Sequence, residues 1–329
     1  MCLAKGGSIM TLHNILEEIK KAENIVVLTH ETPDGDAIGS SLAMNLILQK
    51  LGKNVDVVIT QFPKTFSFLP QAENVKNEIE IKTYDLAISV DCATLNRLDG
   101  KELFEKAKRK IVIDHHGSNT MYGEINYVNP VAPACCEILA GMLEYWDIDI
   151  DIDTGSCILT GIITDTGGFK HSSVTAETFE FTAELLRKGV NVSDIYYRVL
   201  ETKTKANFEL LRIATDRLEF LEDGKVAFTY ITEKDMKDVN AQFGDHEGIV
   251  ELARGIEGVE ISVFVRERED EKAFKVSMRA SNNSKANVSD ICYIFGGGGH
   301  PKAAGALVKG NVEEVKEKII QGIKKVAKI

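Results

Sequence analysis

Four short apolar runs, NIVVLT (24–29), VDVVIT (55–60), DLAISV (85–90) and KIVID (110–114), restrict this chain more than any other feature. Their Val, Ile and Leu residues are too continuous for strands with one wet face. Strands buried on both faces read this way, and both faces are covered where helices cross over between parallel neighbours. Helical patterns do intervene: one from about Ala37 to Leu51, then others over 132–146, 153–164 and 175–188. The first half is therefore expected to be a doubly wound α/β domain on a parallel sheet.

The rhythm then changes. Residues 187–218 are helical and charged, with no strand signal, and read as a connector. Beyond them LEFLEDGKVAFTYI forms a hairpin about Asp223-Gly224, and VEISVFVRERED pairs with EKAFKVSMRAS across an acidic turn. A short helix, a glycine-rich loop and a strand follow in VSDICYIFGGGGHPKAAGALV, and VEEVKEKIIQGIKKVAKI closes as an amphipathic helix. A chain of 329 residues exceeds the usual single domain. The expected organisation is a metal domain over 1–190, a helical linker over 191–206 and a smaller α+β domain over 207–329. MCLAKGGSIM lacks the apolar core of a signal peptide and is expected to be a leader ahead of Met10. No run approaches a membrane span, so no membrane partner and a cytoplasmic location are expected.

In an open α/β sheet, ligands bind beyond the carboxyl ends of the strands. The first run ends in His30, with Asp34 and Asp36 in its loop; the third ends in Asp91; the fourth runs into Asp114-His115-His116; and Asp165 follows the helix around ILTGIIT. Four segments thus send acids and imidazoles toward one edge. Taken singly, Asp34 and Asp36 suit a turn and a helix N-cap, and a lone histidine suits a packing role. Together they do not, because carboxylates gathered without cations repel one another and take up protons. A mixed O/N set without thiolate suits two divalent ions, manganese foremost, with magnesium, iron or cobalt as alternatives. The six cysteines form no zinc spacing and read as buried thiols. A net charge of −11 argues against wrapping long duplex nucleic acid, but not against a short anionic ligand. His13, His171 and His246 fall outside these patterns.

The ordered set H-x-x-x-D-x-D, V-D, D-H-H and T-D-T, followed by GGGGHPKAAG (296–305), resembles the motifs of the DHH phosphoesterase superfamily and its associated substrate-binding domain. The resemblance runs from about Leu12 to the C-terminus and is greatest to the nanoRNase and 3′-phosphoadenosine 5′-phosphate phosphatase branch. It implies one ion on His30, Asp34, Asp91 and Asp165, and another on Asp36, Asp91, His115 and Asp165. Asp114 is then expected to orient an imidazole and His116 to face the phosphate, so that Asp91, Asp114 and His116 carry the catalysis. Arg279, Ser281, Gly297, Gly298, Gly299 and His300 are expected to hold the substrate, with glycine N–H groups offered to an anion.

The implied activity is two-metal hydrolysis of short RNA to nucleoside 5′-monophosphates, together with dephosphorylation of 3′-phosphoadenosine 5′-phosphate. A cyclic or linear dinucleotide phosphodiesterase, an exopolyphosphatase or pyrophosphatase, and a non-catalytic nucleotide sensor are the alternatives. A homodimer is compatible with the sequence and not required by it.

Overall fold

The computed structural model describes residues 9–80, 82–242 and 244–327. The leader expected before Met10 falls on residues 1–8, outside the described residues; the first helix starts at Ile9. The chain divides into two compact units between Thr202 and Lys203.

In the first unit, helix α1 (Ile9–Lys21) precedes β1 (Asn24–Leu28), α2 (Gly35–Lys50), β2 (Asn54–Val58), β3 (Leu86–Val90), α3 (Lys101–Lys106), β4 (Arg109–Asp114) and β5 (Ile125–Val128). Helices α4 (Cys135–Tyr145), α5 (Ile152–Asp165), α6 (Ala176–Arg187) and α7 (Val192–Tyr196) complete it. The five strands are all parallel, in the order β2-β1-β3-β4-β5. Side chains alternate between two cores. Ile25, Val27, Ile88, Val90, Ile111 and Ile113 pack with α1, α2, α4 and α5, while Val26, Leu28, Ala87 and Val112 pack with Leu103 and Phe104 of α3. That two-sided burial is why the runs are continuous rather than alternating. Short β5, from INYV, was not anticipated.

Helices α2 and α5 approach very closely. A Cβ on Gly39 would sit 2.5 Å from the Cys157 carbonyl oxygen, and one on Gly161 would sit 2.3 Å from Cys136 Sγ and 2.4 Å from Asp36 Oδ1. Every residue of α2 from Gly35 to Leu48 is buried, as expected of a helix enclosed on all sides.

The second unit contains α8 (Lys205–Asp216), β6 (Glu219–Leu221), β7 (Val226–Ile231), α9 (Glu233–Asp238), α10 (Ile249–Arg254), β8 (Ile261–Arg268), β9 (Ala273–Ala280), α11 (Val288–Tyr293), β10 (Gly298–His300), β11 (Ala303–Lys309) and α12 (Val312–Val326). Its mixed sheet runs β10-β11-β9-β8-β7-β6, with β7 and β8 parallel and the other neighbours antiparallel. Both expected strand pairs form, the first around a turn in which Glu222, Asp223 and Gly224 all take positive φ.

One face of this sheet, with Val263, Val265, Val276, Met278, Ala304 and Val308, is buried under Ile291 of α11 and Val315, Ile319 and Ile323 of α12. On the other face, Ile231 and Phe264 are covered by Leu210, Ala214, Ile249 and Val250. That cover thins toward β11: Lys275 and Leu307 are exposed, and Ser277, Arg279, Ala303 and Gly305 are half-buried.

Candidate metal centre

The strand order reverses between β1 and β3, and the loops after β1, β3 and β4 gather beyond their carboxyl ends, where such sheets bind ligands. Asp34 caps α2, its Oδ1 accepting from the N–H groups of Asp36 and Ala37, each at 3.1 Å. The turn-and-cap role and the cluster role therefore coexist, because the cap occupies one carboxylate oxygen only. Asp91 ends β3 with φ of 50°, in the left-handed region. Aspartate tolerates that region better than most side chains, and strain of this kind concentrates at functional sites.

Asp36 is fully buried, and its position has a specific cause. Its Oδ2 and Oδ1 accept from the Cys135 and Cys136 N–H groups at 2.5 and 2.9 Å, at the first turn of α4. Unpaired N–H groups and the positive end of the helix favour a carboxylate there. His115 Nδ1–H donates to the Ala132 carbonyl at 3.2 Å, which turns Nε2 toward the acids. That nitrogen lies 3.3 Å from Asp165 Oδ2, 3.4 Å from Asp91 Oδ1 and 3.8 Å from Asp36 Oδ2. His30 Nε2 lies 3.8 Å from Asp91 Oδ2.

Two ligand-like trios result, His30 with Asp34 and Asp91, and Asp36 with His115 and Asp165; within each, one atom per residue lies within 4.8 Å of the others. A third trio joins Asp91, His115 and His116. Asp114, wholly buried, accepts from His116 Nδ1–H at 2.8 Å and the His115 N–H at 2.8 Å on Oδ1, and from Asn119 Nδ2 at 2.6 Å on Oδ2. All six ligand candidates, with Asp114 and His116, thus share one pocket.

The electrostatics fit divalent cations. Burial, then the Asp36 charge, pushes Asp91 up to about 7, and burial likewise raises Asp36 and Asp165. Burial opposes a charge on His115, yet Asp91, Asp36 and Asp165 together carry it up to about 11. Without positive charge, the site must store protons. Burial holds His30 below the usual imidazole range. His30 Nδ1 and Asp91 Oδ1 are buried without a hydrogen-bond partner among the described residues. The donor set is oxygen and imidazole nitrogen. The Cys135 and Cys136 thiols, kept protonated by burial, face the Ile113 and Asp36 carbonyls instead. Around His116 the balance differs: its bond to Asp114 raises the imidazole, while burial, the largest influence on Asp114, is outweighed only by that bond, the His116 charge and the Asn119 bond together, which lower the carboxyl.

Asn119, Arg97 and His171 were not singled out from sequence. Asn119 lies in the turn after D-H-H, where only its residue type offered a signal. Arg97 Nη2 donates to Thr32 Oγ1 at 3.3 Å, near His30. His171 Nδ1–H donates to the Asp165 carbonyl at 2.9 Å, its ring lying over Gly167.

In the second unit, Arg279 of β9 stands opposite Ala303, which stands opposite His300, so Arg279 and His300 share a sheet face with Gly298. Arg279 Nε donates to Glu251 Oε1 at 2.9 Å. Ser281 lies past the end of β9, its N–H donating to the Glu260 carbonyl at 2.9 Å. The glycines differ from the expectation of free N–H groups. Gly296 and Gly297 donate to the Tyr293 and Cys292 carbonyls and so close α11, as glycines after helices commonly do. A Cβ on Gly297 would lie 2.1 Å from the Gly305 oxygen, and one on Gly299 2.6 Å from the Ala303 oxygen. Close approach of backbone to backbone, rather than to a ligand, requires these two glycines.

Residues 24–162 match the DHH family, N-terminal domain, and residues 223–328 match the DHHA1 domain. The chain is 31% identical over 313 residues to the bifunctional oligoribonuclease and PAP phosphatase NrnA of Thermus thermophilus, covering 94% of this chain and 92% of that one. It is 26% identical to the cyclic-di-AMP phosphodiesterase PdeA of Listeria monocytogenes over 93% of this chain but only 48% of that one. Among solved structures, an exopolyphosphatase-related protein from Bacteroides fragilis superposes with a TM-score of 0.88 at 28% identity, covering 97% of each chain.

Proposed function

The chain belongs to the DHH phosphoesterase family, and from that membership we propose that it hydrolyses short RNA oligonucleotides to nucleoside 5′-monophosphates and removes a phosphate from 3′-phosphoadenosine 5′-phosphate. The observation that carries this reading is the meeting of His30, Asp34, Asp36, Asp91, His115 and Asp165 in one pocket, in a chain alike over nearly its whole length to an enzyme named for both activities. His30, Asp34 and Asp91 would hold one divalent ion and Asp36, His115 and Asp165 the other; Asp91, which also lies against His115, would serve both, and the family resemblance implies the same of Asp165. Manganese suits two imidazoles among carboxylates. When bound, the ions supply Lewis-acid charge and make a water acidic enough to attack near neutral pH.

The remaining work falls to the chain. The α4 N–H groups hold Asp36 in one orientation, leaving lone pairs for the pocket. The Ala132 carbonyl fixes the His115 tautomer, as partners behind ligand histidines commonly do. Asp114, itself held by Asn119, keeps a proton on His116 Nδ1 and favours the imidazolium. As water oxygen bonds to phosphorus and the ester oxygen departs, His116 Nε2 is suited to give that oxygen its proton. Arg279 and His300 supply charge and hydrogen bonds for the nucleotide.

The test is turnover of labelled di- to pentanucleotides, a long RNA, 3′-phosphoadenosine 5′-phosphate, cyclic diadenylate and pyrophosphate, with manganese and magnesium side by side. Short RNA and the bisphosphate are expected to turn over fastest. Preference for cyclic diadenylate or pyrophosphate would overturn the substrate assignment.

A further inference from the structure

We propose that the open face of the β8–β9–β11–β10 sheet carries a second anion subsite, built from Arg266, Lys275 and His246, which takes a phosphate of an oligonucleotide beyond the nucleotide at Arg279 and His300. The proposal rests on the reading above that Arg279 and His300 hold the nucleotide being cleaved.

Strand register puts the parts together. Arg266 stands opposite Lys275, Phe264 opposite Ser277, and Ser262 opposite Arg279. Directly opposed residues share a face, and side chains two apart on a strand do too. Lys275, Ser277 and Arg279 therefore line one strip, continued across β11 by Ala303 and Gly305. The small side chains between the basic ends leave a shallow floor. At the end near His300, the exposed Tyr293 ring lies 3.4 Å from where a Cβ on Gly298 would be, an aromatic surface suited to a base. At the other end, the His246 ring stands 6.4 Å from that of Phe264.

Two donors at this far end have no use in the fold. Arg266 Nε and His246 Nδ1 are buried without a hydrogen-bond partner among the described residues, a state native proteins avoid unless a ligand or water completes it. The acids near them are engaged elsewhere. Glu233 accepts from the Glu269 N–H, Asp270 pairs with Arg268, and Asp245 accepts from Thr204 Oγ1 and the Gln242 N–H. An anion's oxygens answer the Arg266 N–H and, in its Nδ1–H tautomer, His246, beside the Lys275 ammonium. Lys275 and Arg279 are four residues apart on β9, or ~13 Å at ~3.3 Å per residue. A nucleic acid strand places a charge every ~3.4 Å of duplex rise, so the far end meets only substrates longer than a dinucleotide.

Steady-state kinetics of the metal-loaded full chain on 3′-phosphoadenosine 5′-phosphate, a dinucleotide and a pentanucleotide test this, with Arg266→Gln, His246→Gln and Lys275→Gln as variants. Each is expected to raise KM for the pentanucleotide by about five- to tenfold and leave the two short substrates unchanged, while Arg266→Gln and Lys275→Gln, which remove a charge, also flatten the salt dependence of kcat/KM by ~0.7 each. Lys275 is exposed on its strand, so its variant keeps the test open should Arg266→Gln fail to fold. Equal losses on all three substrates, or an unchanged pentanucleotide KM with an unchanged salt slope, overturn the subsite while the phosphoesterase reading stands. A wild-type protein inert on all three overturns both.

Discussion

The two units handle polar residues in opposite ways. In the first, Asp36, Asp91 and Asp114 are buried to 0, 1 and 0% exposure and crowd against imidazoles, with Asp91 in a left-handed backbone. In the second, Arg279, Ser277 and Lys275 spread along a sheet face that stays partly open. Buried charge must be matched by counter-charge or by protons, so the first unit is organised around something positive. Exposed charge is screened and individually weak, so the second can share an anion among several contacts. On the proposed function, chemistry falls to the buried set and grip to the exposed one.

That contrast breaks if the two sets respond alike. Asp91→Asn is expected to lower kcat by about a thousandfold or more, since Asp91 lies between both trios. Metal content, measured by mass spectrometry of the dialysed protein, should fall with it. His116→Asn should cost about a hundredfold in kcat with metal content kept, the usual scale for losing a proton donor. Arg279→Gln should raise KM by about tenfold with kcat nearly unchanged, because one charge-assisted contact is lost from binding.

The stability tests are gentler. Gly161→Ala would press a methyl against Asp36 and Cys136, and Gly297→Ala would press one against the β11 backbone; each should cost about 1–3 kcal/mol in denaturant unfolding. Only Gly161→Ala should also weaken metal binding.

The smallest effect is a pH slope. Asp91 and His115 both titrate higher folded than unfolded. The folded, metal-free protein therefore binds more protons, and its stability declines as pH rises, through Asp91 from 3.8 to about 7 and through His115 from 6.5 to about 11. Added manganese should reverse that slope, because ligation favours the deprotonated groups. Thermal unfolding with and without chelator measures both. A slope indifferent to metal would detach the buried acids from any cation.

The clustered acids and imidazoles were legible because their types are improbable at strand ends: H-x-x-x-D-x-D, V-D and D-H-H each follow a Val/Ile run that announces its own burial. Asn119 and the Ala132 carbonyl were not legible, since an asparagine in a turn and a backbone oxygen carry no pattern. The glycine run was legible as a place of close approach, but not as to what approaches. Its N–H groups close α11, and two of its missing side chains admit β11. The open sheet face was hidden for another reason. Alternation in AFKVSMRA shows that one face is dry, but not how far the helices of the other face reach.

From its sequence alone, this chain specified two sheets of different kinds, the residues offered at the ends of the parallel strands, and a family. Periodicity and residue type are local, and local patterns decide which elements form and what they carry. Only the folded structure decided that α4 begins where its N–H groups seize Asp36, that α5 can come near enough because position 161 is glycine, and that Arg266, Lys275 and Arg279 share one open face. Those are distances between segments remote in the chain, set by packing and register, which no local pattern encodes.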